Sequence, residues 1–164
     1  MDARNVDLPP NARRVIVGIN EAAASTVEAD RRDLPTTRLP NGIVLQELWQ
    51  QRRIPARPDD RPQPSWTLGP DAPPQGAVVR ILTVPPATGG PLPEPDLHND
   101  PSLHVITMLD GDLTVVLEDG EVTLGRGDSI VLPGSLHDLW NSRPRSATFV
   151  YTSFPLAGDA PQQR

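Results

Sequence analysis

Between Gly76 and Phe154 the chain repeats one pattern, a short run of branched and aliphatic residues closed by a turn residue or two. Ala77 to Val84 (AVVRILTV) ends at Pro85-Pro86. His104 to Leu109, Leu113 to Leu117, Glu121 to Leu124, Ser129 to Leu132, Asp138 to Asn141 and Ala147 to Phe154 follow, with Gly, Asp, Asn or Pro between them. Short strands punctuated this regularly predict an all-β sandwich or barrel. Asp119-Gly120 lies between TVVLE and EVTL, which reads as a tight hairpin with a primed turn.

The first half of the chain is less regular. Residues 1–12 read as a polar arm. Arg13 to Ile19 (RRVIVGI) and Gly42 to Trp49 (GIVLQELW) read as strands, and Glu21 to Ala24 as the possible start of a short helix. Residues 52–75 hold seven prolines and exclude regular structure. A connection of that length is a lid or a packed excursion, with Trp66 and Leu68 as its anchors or Trp66 as a stacking residue. The expected organisation is an arm, strands and Pro-rich connection over 1–75, a barrel core over 76–155 and a disordered tail over 156–164. A length of 164 residues fits one domain, and the 37% apolar content is held down by 21 prolines.

Counting excludes several chemistries. No cysteine means no disulfide, thiolate ligand or thiol nucleophile. No lysine means no Schiff base and no phosphate-loop lysine. A net charge of −6 argues against nucleic acid as a partner; the basic run Arg52, Arg53, Arg57 is followed at once by Asp59 and Asp60 and reads as a solvated loop. No apolar run is long enough to span a membrane, and the N-terminus lacks an apolar signal region, so a cytoplasmic location is the expectation. No serine sits in a nucleophile-elbow pattern, and no glycine-rich loop joins a strand to a helix.

The chain has three histidines. His98 and His104 lie six apart across a polar turn, and His137 follows Leu132-Pro133-Gly134-Ser135-Leu136. If His98 ends a turn, His104 opens a strand and His137 opens a neighbouring one, the three can face one barrel mouth. Imidazoles with a carboxylate suit iron, manganese, nickel or zinc.

These residues resemble the cupin family, whose first motif spaces two histidines, a glutamate and a glycine. His98 stands at the first histidine, Asp100 at the second, His104 at the glutamate and Gly111 at the glycine. The second motif matches through Gly127, Pro133, His137 and Asn141. There are departures: Leu92 stands where the opening glycine belongs, and the turn before His137 is one residue short. The ligand set is thus permuted rather than lost. The segment GDSIVLPGSLHDLWN also resembles a branch of small bacterial cupins with a histidine, a small polar residue and an aspartate at the first-motif positions. Arg13 to Gly18 and Gln46 to Trp49 are similar to that branch as well.

The resemblance implies a double-stranded β-helix (jelly-roll) barrel holding one divalent transition metal through His98, His104 and His137, with Asp100 as a fourth ligand, a base or a residue orienting a histidine. Arg80, mid-strand, holds a substrate carboxylate if it points inward and pairs with a surface acid if outward. Tyr151 is a candidate proton donor. Trp140 and Phe149 read as core or interface, and Asp110, Asp112 and the stretch Gly125 to Asp128 as turns. The implied function is lyase chemistry (decarboxylase or dehydratase) or isomerase chemistry on a small oxygenated compound. Iron dioxygenase activity, and a non-catalytic ligand-binding module or sensor, are the alternatives. A homodimer through the N-terminal strands is the expected assembly.

Overall fold

A computed structural model describes residues 12–57, 73, 75–86 and 94–157. Trp66, Leu68 and most of the Pro-rich connection lie outside these residues, as do Leu92 and the arm before Ala12. The described residues form eleven strands. They are β1 (Arg14–Ile19), β2 (Ser25–Arg31), β3 (Thr36–Arg38), β4 (Val44–Gln51), β5 (Ala77–Val84), β6 (Ser102–Asp110), β7 (Leu113–Leu117), β8 (Gly120–Leu124), β9 (Ser129–Pro133), β10 (Asp138–Trp140) and β11 (Ala147–Pro155). None of the described residues forms a helix long and apolar enough to cross a membrane.

Alternation along the strands builds two facing sheets. In β6, Ser102, His104, Ile106 and Met108 are buried and the residues between them are half-buried, the period-two pattern of a sheet with one face on a core. A six-stranded antiparallel sheet runs in the order β3-β4-β5-β11-β6-β9, and a three-stranded sheet in the order β10-β7-β8. Leu45, Leu82, Met108 and Phe149 from the large sheet meet Leu113, Val115 and Leu124 from the small one in a single core. Phe149 is fully buried there, and truncating such a ring to Ala costs about 3–5 kcal/mol. Gly111 carries the chain from one sheet to the other. Its φ is +74°, and a Cβ there would stand 2.5 Å from the Ser146 carbonyl oxygen, so glycine is required on both conformational and steric grounds.

Two expectations are corrected. Glu21 to Ala24 starts no helix; it is the turn of the β1–β2 hairpin. The Asn20 side-chain oxygen accepts from the amides of Ala22 and Ala24, both at 3.0 Å, so an asparagine turn takes the donors that a helix would use. The β7–β8 hairpin turns through Glu118-Asp119, because Leu117 pairs with Gly120. Gly120, with φ +106°, is the first strand residue rather than the second turn residue. At the far end, the Leu156 amide donates to the Pro101 carbonyl at 2.8 Å, so the segment read as tail is fastened to the barrel at its first residue.

Candidate functional site

The two sheets are closed at one end by a pair of histidines. The His98 amide donates to the His137 carbonyl at 3.1 Å, and the His137 amide returns a bond to the His98 carbonyl at 3.0 Å. This bridge ties the segment before β6, in the large sheet, to the segment before β10, in the small one. Asp138 reinforces it by accepting from the Asp96 amide at 3.1 Å and from the Trp140 ring nitrogen at 2.7 Å. The His98 and His137 ring centroids are 5.0 Å apart, and the His104 ring is 5.7 Å from that of His137. The three histidines therefore converge on one mouth.

Their ring nitrogens are held differently. His98 donates Nδ1–H to the Asp96 carbonyl at 3.0 Å and His137 donates Nδ1–H to the Ser135 carbonyl at 2.8 Å. Each bond leaves Nε2 with its lone pair. His104 is engaged on both sides. Tyr151 lies against it, and its hydroxyl is 2.8 Å from Nδ1. Asp100 Oδ1 is 3.0 Å from Nε2, off the hydrogen-bond line, so this buried oxygen has no hydrogen-bond partner. Burial raises the Asp100 carboxyl most strongly, but the contacts with His104 and Ser102 and the charge of His137 outweigh it, and the group ionises below its ordinary 3.8. Burial also holds His137 below its ordinary 6.5; His98 and His104 add to that effect, while Ser135 and Asp100 oppose it. The same Tyr151 hydroxyl is 3.4 Å from Nε2, so it lies beside the ring within reach of both nitrogens, and the tautomer decides its role.

Strand parity settles where Arg80 and Tyr151 point. Glu47, Arg80, Tyr151 and Ile106 form one row across β4, β5, β11 and β6, on the face that carries Leu82, Phe149 and Met108 inward. Arg80 is 1% exposed, and its guanidinium stands 3.5 Å from the buried Glu47 carboxylate. The outward reading of Arg80 is thereby overturned, and its charge is already balanced inside the barrel. Glu47 escaped the sequence reading because its partner is 33 residues away; its place in the alternating run VLQEL was the available signal. Asn141 is buried, and its amide donates to the carbonyls of Val84, Pro85 and Arg145. The motif asparagine therefore fixes a loop and does not face the site.

The donors can be compared with what a divalent metal needs. Two imidazoles with Nδ1 tied to main-chain carbonyls, and a buried carboxylate oxygen lacking a partner, fit a metal in kind. They are not gathered as a coordination shell: among the described residues, no three His, Asp or Glu side chains are grouped to hold a metal ion. His104 has the Tyr151 hydroxyl 2.8 Å from Nδ1 and the Asp100 oxygen 3.0 Å from Nε2.

No family model and no curated protein matches the sequence. Solved structures do match the fold. A putative ethanolamine utilization protein Q from Salmonella typhimurium LT2 is 13% identical with a TM-score of 0.50, covering 88% of this chain and 96% of its own. The cupin domain of Schizosaccharomyces pombe Cnp3 is 11% identical with a TM-score of 0.53, covering 87% of each chain. An RmlC-like cupin from Shewanella frigidimarina NCIMB 400 is 13% identical with a TM-score of 0.51, covering 76% of this chain and 86% of its own. The chain has the cupin fold. At these identities the likeness speaks to architecture, and function must be argued from the site.

Proposed function

We propose that the protein is a proton-transfer enzyme for a small oxygenated organic compound, of the isomerase or dehydrating lyase type. The observation that carries this reading is the contact chain of Asp100, His104 and Tyr151, with spacings of 3.0 and 2.8 Å. General catalysis requires a base and an acid within reach of one reacting group. Asp100, ionised and partly desolvated, takes a proton from carbon beside a carbonyl. Tyr151 gives its hydroxyl proton to the carbonyl oxygen as negative charge develops there. His104 orients both groups. Isomerisation of an α-hydroxy ketone then returns the two protons: Asp100 gives its proton to the former carbonyl carbon, and the substrate's own hydroxyl on the deprotonated carbon gives its proton to Tyr151, leaving the new carbonyl there. Dehydration instead expels a hydroxyl with the Tyr151 proton.

A second reading is favoured by the partnerless Asp100 oxygen. A divalent cation held by His98, His137 and Asp100 would polarise the substrate carbonyl, and the same ligands would serve an iron dioxygenase. Elemental analysis of the wild type beside His98→Ala separates the two readings.

The test of the first is deuterium incorporation at the carbons beside a ketone, followed by proton NMR in D2O. Asp100→Asn and Tyr151→Phe should each slow exchange by about 10²–10⁴-fold. No exchange by the wild type, or full exchange by both variants, refutes the proposal.

A further inference from the structure

The large sheet has a second face, turned away from the core. Beside the inward row Gln50, Val78, Ser153, His104 lies the outward row Trp49, Val79, Thr152, Val105, Val131. The β4 chain bulges between Glu47 and Trp49, which turns Trp49 outward and Gln50 inward. A second outward row runs Gln46, Ile81, Val150, Thr107, Ser129, and in a third Leu103 lies between Phe154 and Pro133. None of these outward side chains carries a charge, in a chain that is 22% charged. An antiparallel sheet with one face in water ordinarily alternates apolar inward and polar outward. Here the outward face is built mostly of branched, aromatic and hydroxyl side chains. It is covered over β4 and β5, where Gln46 and Ile81 are buried, and open over β9 and β11, where Val131 is 55% and Phe154 37% exposed. Charge returns at the strand ends, where Arg145 stands 3.9 Å from Asp110.

We infer that this outward face docks on the same face of a second copy, about a two-fold axis. A partner surface must be apolar and free of unpaired charge, because burying a lone ion is costly, and a sheet of the same twist packs against it face to face. Each copy carries a net charge of −6, so two copies repel where their acidic surfaces meet, and a charge-free face lets them approach at least cost. Identical patches meeting about a two-fold need no second surface. The area is of the right order. The three open strands β11, β6 and β9, about 4.8 Å apart and up to roughly 30 Å long, present about 400 Å². The β1–β2 ribbon stands beside β4, since the Arg14 guanidinium donates to the Leu48 carbonyl at 3.2 Å. Its uncovered side, with Val15, Val17, Ile19 and Val27 exposed, adds about 200 Å². A total of about 600 Å² per copy reaches the lower end of specific interfaces. The histidine mouth opens at the strand ends, so the inference stands apart from the chemistry proposed there.

Sedimentation velocity of the full chain tests this at about 100 μM, well above the dissociation constant on the order of 10 μM that a small interface gives. The wild type should sediment as a dimer. Val131→Glu and Phe154→Glu each place a carboxylate in the contact, and each should raise the dissociation constant about 100-fold or more. Both side chains are exposed in the single chain, so the variants should keep the wild-type circular dichroism. Thr123→Glu, on the solvent side of the small sheet where Thr123 meets Thr114 at 3.1 Å, should leave the dimer intact. Methyl NMR of the wild type needs no variant. On dilution through the dissociation constant, the methyls of Val105, Val131 and Val150 should shift, while those of Val116 and Val122 stay. A monomeric wild type, its face covered by the chain itself or by another protein, overturns the inference. So does a dimer that survives both face variants or is lost with Thr123→Glu. Methyl shifts confined to the ribbon overturn it as well, since the ribbon alone would then hold the copies together.

Discussion

Glu47→Ala removes one half of an ion pair that the fold has sealed. At 3.5 Å, two unit charges attract by about 5 kcal/mol at an effective dielectric near 20. Bringing both ions out of water costs several kcal/mol each, so the intact pair is close to neutral against apolar residues of the same volume. The single variant keeps the desolvation of Arg80, which is 1% exposed, and loses this attraction. The expected loss is about 3–5 kcal/mol. The double variant Glu47→Leu/Arg80→Met should lie within about 1 kcal/mol of wild type, giving a coupling energy of about 3 kcal/mol or more. Urea unfolding with an unchanged m value reads these numbers. In a chain of this size, a loss of about 3 kcal/mol lowers Tm by roughly 6–12 °C. If Glu47→Ala costs less than about 1 kcal/mol, the value of a surface pair, the two side chains are not sealed in the barrel.

Acidification should weaken the fold in two steps. His137 titrates lower folded than unfolded, so the unfolded chain binds the extra proton and stability falls as pH drops below the ordinary 6.5. Asp100 is also depressed, so its contribution is present above 3.8 and lost as pH falls through its lower folded value; His137→Gln should erase the first step of a pH series of urea melts. Gly111→Ala should cost about 2 kcal/mol or more, read as a lower urea midpoint, because both its φ and the Ser146 carbonyl exclude a Cβ. Val15, Val17, Ile19 and Val27 are 44% to 68% exposed on the β1–β2 ribbon, and we propose that they meet a second copy of the chain; sedimentation velocity should show a dimer for wild type and a monomer for Val17→Asp, and a monomeric wild type would dismiss the idea.

The barrel core was legible because its strands alternate. β5 and β7 occupy the spans expected for them, and β6, β8, β9, β10 and β11 differ by a residue or two at their ends. β2 was not legible: STVEADR is exposed along most of its length, so no buried face imposes a period. The site was legible as a list of residues and not as an arrangement. The cupin resemblance implied that His98, His104 and His137 share one mouth, and Tyr151 was named. The partners were hidden, because register between strands is set by long-range pairing that no local pattern records. Glu47 beside Arg80, Ser153 beside His104 and the bulge that turns Gln50 inward all come from such pairing.

The most direct test of the site is the tautomer of each imidazole, read by long-range proton–nitrogen correlation at a pH well above the ordinary histidine range. With three histidines in the chain, the spectrum holds one ring system for each. His104 should carry its proton on Nε2, facing Asp100, while His98 and His137 carry theirs on Nδ1, facing the carbonyls of Asp96 and Ser135. Three rings sharing one freely exchanging tautomer mixture would mean that Asp100, His104 and Tyr151 are not assembled, and the proposed chemistry would have no site.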